Sequence, residues 1–126
     1  MTLPRHRHVH RLFVYGTLMR GKSNHRLMAG HRFVTRARTL ARYRLYHLGD
    51  YPGMVEDPVN PLSVEGEIWE VDAAGLAALD AFEGVAEALY ARVPVPLAPP
   101  HADLAADGYL YLRPVTGATD IGGRWG

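Results

Sequence analysis

The chain contains no cysteine. That excludes disulfides, thiolate metal sites and thiol nucleophiles, and makes a reducing cytoplasm the expected compartment. Serine is scarce too, present only as Ser23 and Ser63. No apolar run approaches the ~20 residues of a membrane span, so no membrane partner is expected. No apolar core follows the opening "MTLPRHRHVHR", so no signal peptide is read there. Acid is missing from one half. Through Gly49 there are 11 Lys and Arg and no Asp or Glu, whereas from Asp50 onward 3 Arg face 13 acids. The net charge of +1 hides this polarity. The basic residues are spread through strand-like segments, so the halves read as pairing within one fold, and no nucleic-acid partner is expected.

What is present suits one core. The 126 residues are 48% hydrophobic, which excludes disorder and is too short for two domains. The sequence shows no internal repeat. Residues 1–10 read as a flexible basic, His-rich tail and residues 11–126 as a single domain. "RLFVY" (residues 11–15) reads as a buried strand stopped by Gly16. "NHRLM" (24–28) reads as a short helix capped by Ser23 or Asn24 and followed by Gly30. Residues 32–46 alternate and read as one or two strands. Residues 50–61, with Pro52, Pro58 and Pro61, read as loop. Residues 63–71 alternate Val64, Gly66 and Ile68 against Glu65, Glu67 and Trp69, as in a half-buried strand. Residues 73–83 read as a helix with Asp72 as N-cap, Gly84 past its end, and Leu76, Leu79 and Phe82 toward the core. Residues 90–97 alternate, but Pro94 and Pro96 confine them to an edge or a bulge. Residues 108–115 read as the last strand, ahead of a Gly-rich tail. The expected fold is α+β, a curved sheet or small barrel with few helices.

"YGTLMRGKS" (15–23) satisfies the phosphate-loop pattern G-x-x-x-x-G-K-[ST]. The context does not fit. A phosphate loop needs a long helix after Lys22-Ser23, and only six residues separate Ser23 from Gly30. The interior Thr17-Leu18-Met19-Arg20 is bulky, and Asp72 is better used as a helix cap than as a magnesium ligand. What remains is a strand, a glycine and a loop that exposes N–H groups, a nest for an anion such as a carboxylate.

"FVYGTLMRGKSNHRLM" together with "LDAFEG" (79–84) resembles the gamma-glutamylcyclotransferase superfamily, nearest to its gamma-glutamylamine cyclotransferase branch and small bacterial relatives. Tyr51-Pro52, "VEGEIWEV" and Tyr90-Ala91-Arg92 continue the resemblance in order, from Arg11 to about Val115. It implies a small mixed β-barrel flanked by short helices, with no metal and no cofactor. It implies that Tyr15, Gly16, Thr17 and Leu18 grip the amino-acid end of a gamma-glutamyl group. It assigns Glu83 as general acid and base, and places Tyr90 near the substrate. The implied reaction is attack of the substrate's own α-amine on its γ-carbonyl, giving 5-oxoproline and a free amine. Such chemistry suits a chain poor in nucleophiles, since oriented intramolecular attack removes about 7–11 kcal/mol of barrier. A Glu at a helix C-terminus beside apolar Phe82 and Val85 is expected to hold its proton more tightly than usual. The alternatives are a cyclotransferase for gamma-glutamyl amino acids or peptides, and a non-catalytic binding member of the same fold.

Other groups are weaker candidates. His6, His8 and His10 alternate and would share a strand face, a metal-binding pattern placed here in a solvated tail. His25 adjoins the loop and could touch substrate. Tyr109 and Tyr111 share a face, one of them facing the pocket. The Arg series of residues 32–44 reads as a solvated face. Oligomeric state and the identity of the leaving amine leave no signature in the sequence.

Overall fold

A computed structural model describes residues 9–126. Among the described residues eight strands and one α-helix follow each other: β1 (Val9–Val14), β2 (Arg32–Arg38), β3 (Tyr43–His47), β4 (Pro52–Glu56), β5 (Glu65–Asp72), α1 (Ala73–Phe82), β6 (Tyr90–Pro94), β7 (Asp107–Tyr111) and β8 (Thr119–Gly122). They form a five-stranded sheet in the order β2-β5-β1-β7-β6 and a three-stranded sheet β4-β3-β8. β1 lies at the centre, antiparallel to β5 and parallel to β7. Its run Leu12-Phe13-Val14-Tyr15 is apolar throughout because both faces are covered. Leu12 and Val14 pack with Leu76 and Leu79 of α1, while Phe13 and Tyr15 pack with Leu45 and Met54 of the smaller sheet. The molecule is therefore layered as helix, large sheet, small sheet. Among the described residues no helix is long and apolar enough to cross a membrane.

The α+β class and the mixed sheet stand as expected; the barrel does not. The edge strands β2 and β6 curl toward each other, but closure stops at an isolated bridge between Thr39 and Leu97. Proline explains the stop. β6 ends at Pro94, and Pro96 has no N–H to give, so a continuous ladder cannot form. The expected edge position of this segment is thus correct, and it is what leaves the barrel open.

Six local expectations are also corrected. Part of the expected loop 50–61 is strand β4, because Pro52 is its first residue, opposite His47, where a missing N–H costs little. The Gly-rich tail contributes β8, tied to β3 by Arg44, whose guanidinium donates to both oxygens of Asp120 at 3.0 and 3.1 Å. β5 is covered on both faces. Ile68 enters one core, Trp69 and Val71 the other, and Glu67 is only 6% exposed. The short helix is a 3-10 turn, His25–Met28, and neither Ser23 nor Asn24 caps it; Asn24 Nδ2 donates instead to Thr17 Oγ1 at 3.0 Å. Helix α1 behaves as its sequence requires, with Asp72 Oδ1 accepting from Gly75 N at 2.7 Å. Leu76 and Leu79 face inward, but Phe82 is 46% exposed. β1 begins at Val9, so residues 9 and 10 are paired with β5 rather than lying in a tail. His6 and His8 fall outside the described residues.

Candidate active site

A cavity of about 650 Å³ opens where β1 ends. Tyr15, Gly16, Thr17, Leu18, Glu83 and Tyr90 all line it, so residues separated by up to 75 positions in the chain meet at one hollow. Tyr109 joins them and Tyr111 does not, which settles which of that pair faces the pocket.

The loop after β1 is braced from behind by a buried carboxylate. Glu67 accepts from the Arg20 N–H and Trp69 Nε1 through Oε1, at 3.1 and 3.0 Å, and from Arg20 Nε through Oε2 at 3.1 Å. With three donors the carboxylate is compensated for its burial. Asn24 holds the loop from the other end, through Thr17 Oγ1 and through its N–H to the Thr17 carbonyl at 2.9 Å. The N–H groups of Thr17 and Leu18 find no acceptor among the described residues. Both residues line the cavity. Gly16 is required by its neighbour, since a Cβ there would stand 2.7 Å from Pro52 Cγ.

The tyrosines are scaffolding as much as lining. The Tyr15 hydroxyl donates to the Tyr109 carbonyl at 2.8 Å and accepts from the Met54 N–H at 3.1 Å. The Tyr90 hydroxyl donates to the Pro52 carbonyl at 2.8 Å, and that of Tyr109 to Asp80 at 2.7 Å. Burial pushes all three phenols above their ordinary value, with the charge of Glu83 adding to it. They stay protonated and cannot serve as bases. Asp80 is engaged by Tyr109 and by Arg92 Nε at 2.9 Å.

Glu83 differs from all of these. It is the C-cap of α1, and its carboxylate has no hydrogen bond or ion pair among the described residues. A Schellman turn fixes its backbone: Val85 N–H bonds the Asp80 carbonyl at 3.0 Å, Gly84 N–H bonds that of Ala81 at 3.1 Å, and Gly84 takes φ +69°. Burial raises its pKa from 4.5 to about 7. This half-buried carboxyl can therefore exchange a proton near neutrality.

Sequence reasoning assigned no role to Asp50 or Leu89, which also line the cavity, and quoted Tyr51 and Pro52 only as part of a pattern. Phe82 was expected in the core and instead forms cavity wall. His25 does not line the cavity; its Nδ1 lies 3.1 Å from the Leu18 carbonyl and its ring packs on Trp69. The Gly16–Ser23 segment leads only into the four-residue 3-10 turn, and β1 pairs antiparallel with β5, neither of which a phosphate loop shows.

A model of the gamma-glutamyl cyclotransferase, AIG2-like family matches residues 12–125. A gamma-glutamylcyclotransferase family protein of Citrobacter rodentium is 38% identical over 116 residues, covering 91% of this chain and 94% of its own. Human gamma-glutamylaminecyclotransferase is 41% identical over 88 residues, 64% of this chain. The match spans 57% of that human protein, and 64% of a Vibrio cholerae relative that is 45% identical over 76 residues. Among solved structures, the uropathogenic Escherichia coli protein c4763 superimposes with a TM-score of 0.76 at 34% identity, covering 92% of this chain and 91% of that one. A mouse AIG2-like protein gives 0.71 at 32% identity, covering 82% and 77%.

Proposed function

The chain belongs to the gamma-glutamyl cyclotransferase, AIG2-like family, and on that footing we propose that it is a cyclotransferase that converts a small gamma-glutamyl amide, of the gamma-glutamylamine type, to 5-oxoproline and the free amine. The observation that carries the reading is Glu83, a carboxyl without a partner and with a pKa near 7, in the same cavity as the free N–H groups of Thr17 and Leu18.

The substrate's α-carboxylate sits on the Thr17 and Leu18 N–H groups, which bends the gamma-glutamyl chain back on itself. Ionised Glu83 takes a proton from the α-ammonium. The freed amine attacks the γ-carbonyl carbon and closes a five-membered ring. The bond from that carbon to the leaving nitrogen breaks as Glu83 returns the proton to that nitrogen, and the ring nitrogen's second proton then passes through the again-ionised Glu83 to the released amine, which leaves as an ammonium. No water is consumed and no atom of the protein becomes bonded to substrate. A positioned carboxylate of matched pKa is worth roughly 10²–10⁴-fold in such a relay. The neutral tyrosine hydroxyls and the aromatic wall keep the reacting groups dry, which strengthens each remaining polar contact.

Incubation with a panel of gamma-glutamyl amines, amino acids and peptides, with 5-oxoproline measured, tests the reading. Formation of 5-oxoproline from the amines is the expected result. Turnover confined to gamma-glutamyl amino acids or peptides would move the assignment to that substrate class. No product from any of them would leave a binding protein.

A further inference from the structure

A second hollow, of about 300 Å³, lies on the other side of the loop that follows β1. The loop serves both. Tyr15–Leu18 and Ser23-Asn24 line the catalytic cavity, whereas Met19, Arg20 and Lys22 line this cleft, and the two share no residue. Its other walls come from Arg36 on β2, Glu65, Gly66 and Glu67 on β5, and Arg124-Trp125 of the C-terminal segment.

The charges do not balance. Arg20 and Glu67 neutralise each other, and the Arg20 guanidinium is further occupied over the Phe33 ring, 3.6 Å from its centre. Lys22, Arg36 and Arg124 form no ion pair among the described residues. Among the lining residues only Glu65 stands against these three cations, and Gly126 adjoins the Lys22 ammonium. Outside the cleft Arg32 pairs with Glu70, Arg44 with Asp57 and Asp120, and Arg92 with Asp80 and Asp107, whereas Arg11, Arg26, Arg38, Arg42 and Arg113 form no ion pair among the described residues and line neither hollow. What sets Lys22, Arg36 and Arg124 apart is that three unpaired cations from three separate segments line one concave site. Two planar guanidinium groups and one ammonium suit the oxygens of a tetrahedral dianion. The Trp125 indole adds a flat apolar wall.

We propose that this cleft binds a small phosphate-bearing anion, through Lys22, Arg36 and Arg124. Lys22 thus gains a phosphate-binding role that the sequence pattern suggested, but by its side chain, on the face of the loop turned away from the catalytic cavity, without a helix N-terminus or a magnesium ion. The proposal is independent of the cyclotransferase reading, since it concerns binding alone.

Calorimetric titration of the full chain with pyrophosphate, inorganic phosphate and adenosine monophosphate tests it. Saturable one-to-one binding is expected. Lys22→Ala combined with Arg124→Ala should weaken it about tenfold for each cation removed. These side chains make no hydrogen bond among the described residues, and a thermal melt checks that the variant remains folded. Arg38→Ala, on the same strand as Arg36 but outside the cleft, should bind like the parent. Tighter binding of the nucleotide than of phosphate would identify a nucleotide as the source of the anion, through Trp125, and equal affinities would identify free phosphate. Heat that never saturates, or the same weakening from Arg38→Ala as from the double variant, would overturn the site.

Discussion

Glu83 combines three properties that rarely coincide on one carboxylate: a fixed backbone, no partner, and a pKa near 7. Glu83→Gln keeps the size and removes the proton relay, so turnover should fall about 10²-fold or more in a 5-oxoproline assay. Glu87→Gln is the control, since Glu87 is exposed beyond the turn, and activity should persist. The same residue sets a pH dependence of stability. Its pKa is about 7 folded and about 4.5 unfolded, so between those values the folded chain holds the extra proton. Stability from this group is therefore full below about pH 4.5, falls as pH rises to about 7, and is level above. Glu83→Gln should abolish that slope and gain roughly 1–3 kcal/mol above pH 7, the range allowing for partial solvent screening. Urea denaturation at pH 5 and pH 8 measures both. In the parent enzyme, kcat/KM should rise with pH through a midpoint near 7, as the base form of Glu83 appears.

Helix α1 is the element that aims this carboxylate, and its two ends separate folding from catalysis. Gly84→Ala forces a Cβ into a left-handed φ and to 3.2 Å from the Leu89 Cβ. It should cost about 1–2 kcal/mol and also lower kcat, because the turn that orients Glu83 is disturbed. Asp72→Ala removes the N-cap at the far end and should cost about 1 kcal/mol with kcat unchanged. Equal losses of kcat in the two variants would show that α1 acts only through stability. The sequence made this helix legible because capping is local: Asp72, Gly84 and the leucines announce themselves within one segment. β4 and β8 were not legible, since a short strand beginning at proline or embedded among glycines exists only by virtue of its neighbour β3. Residue motifs found the cavity's floor in Tyr15–Leu18 and its acid in Glu83. They gave no role to Asp50 or Leu89, because loop lining is decided by where distant strands end. Glu67 was misjudged for a similar reason, as its partners Arg20 and Trp69 can be seen only in three dimensions.

At the scale of the molecule the Glu83 cavity sits at the seam between the two sheets, and Tyr15 is the stitch. Its hydroxyl joins β7 of the large sheet to β4 of the small one. Tyr15→Phe leaves the buried Met54 N–H without an acceptor and should destabilise the fold by about 1–3 kcal/mol in denaturant unfolding. The opposite charges of the two halves of the chain meet within the smaller sheet, with Arg44 of the basic half bound to Asp57 and Asp120 of the acidic half. The Glu83 cavity takes no share in that pairing, for among the described residues no Lys, Arg or His lines it. A substrate carboxylate bound there on the Thr17 and Leu18 N–H groups is held by peptide dipoles, which have no counterion cloud to displace. Raising the ionic strength from about 0.01 M to 0.15 M shrinks the Debye length from about 30 Å to 8 Å. It should nevertheless leave KM nearly where it was, so that this enzyme would capture its substrate as readily in brine as in dilute buffer.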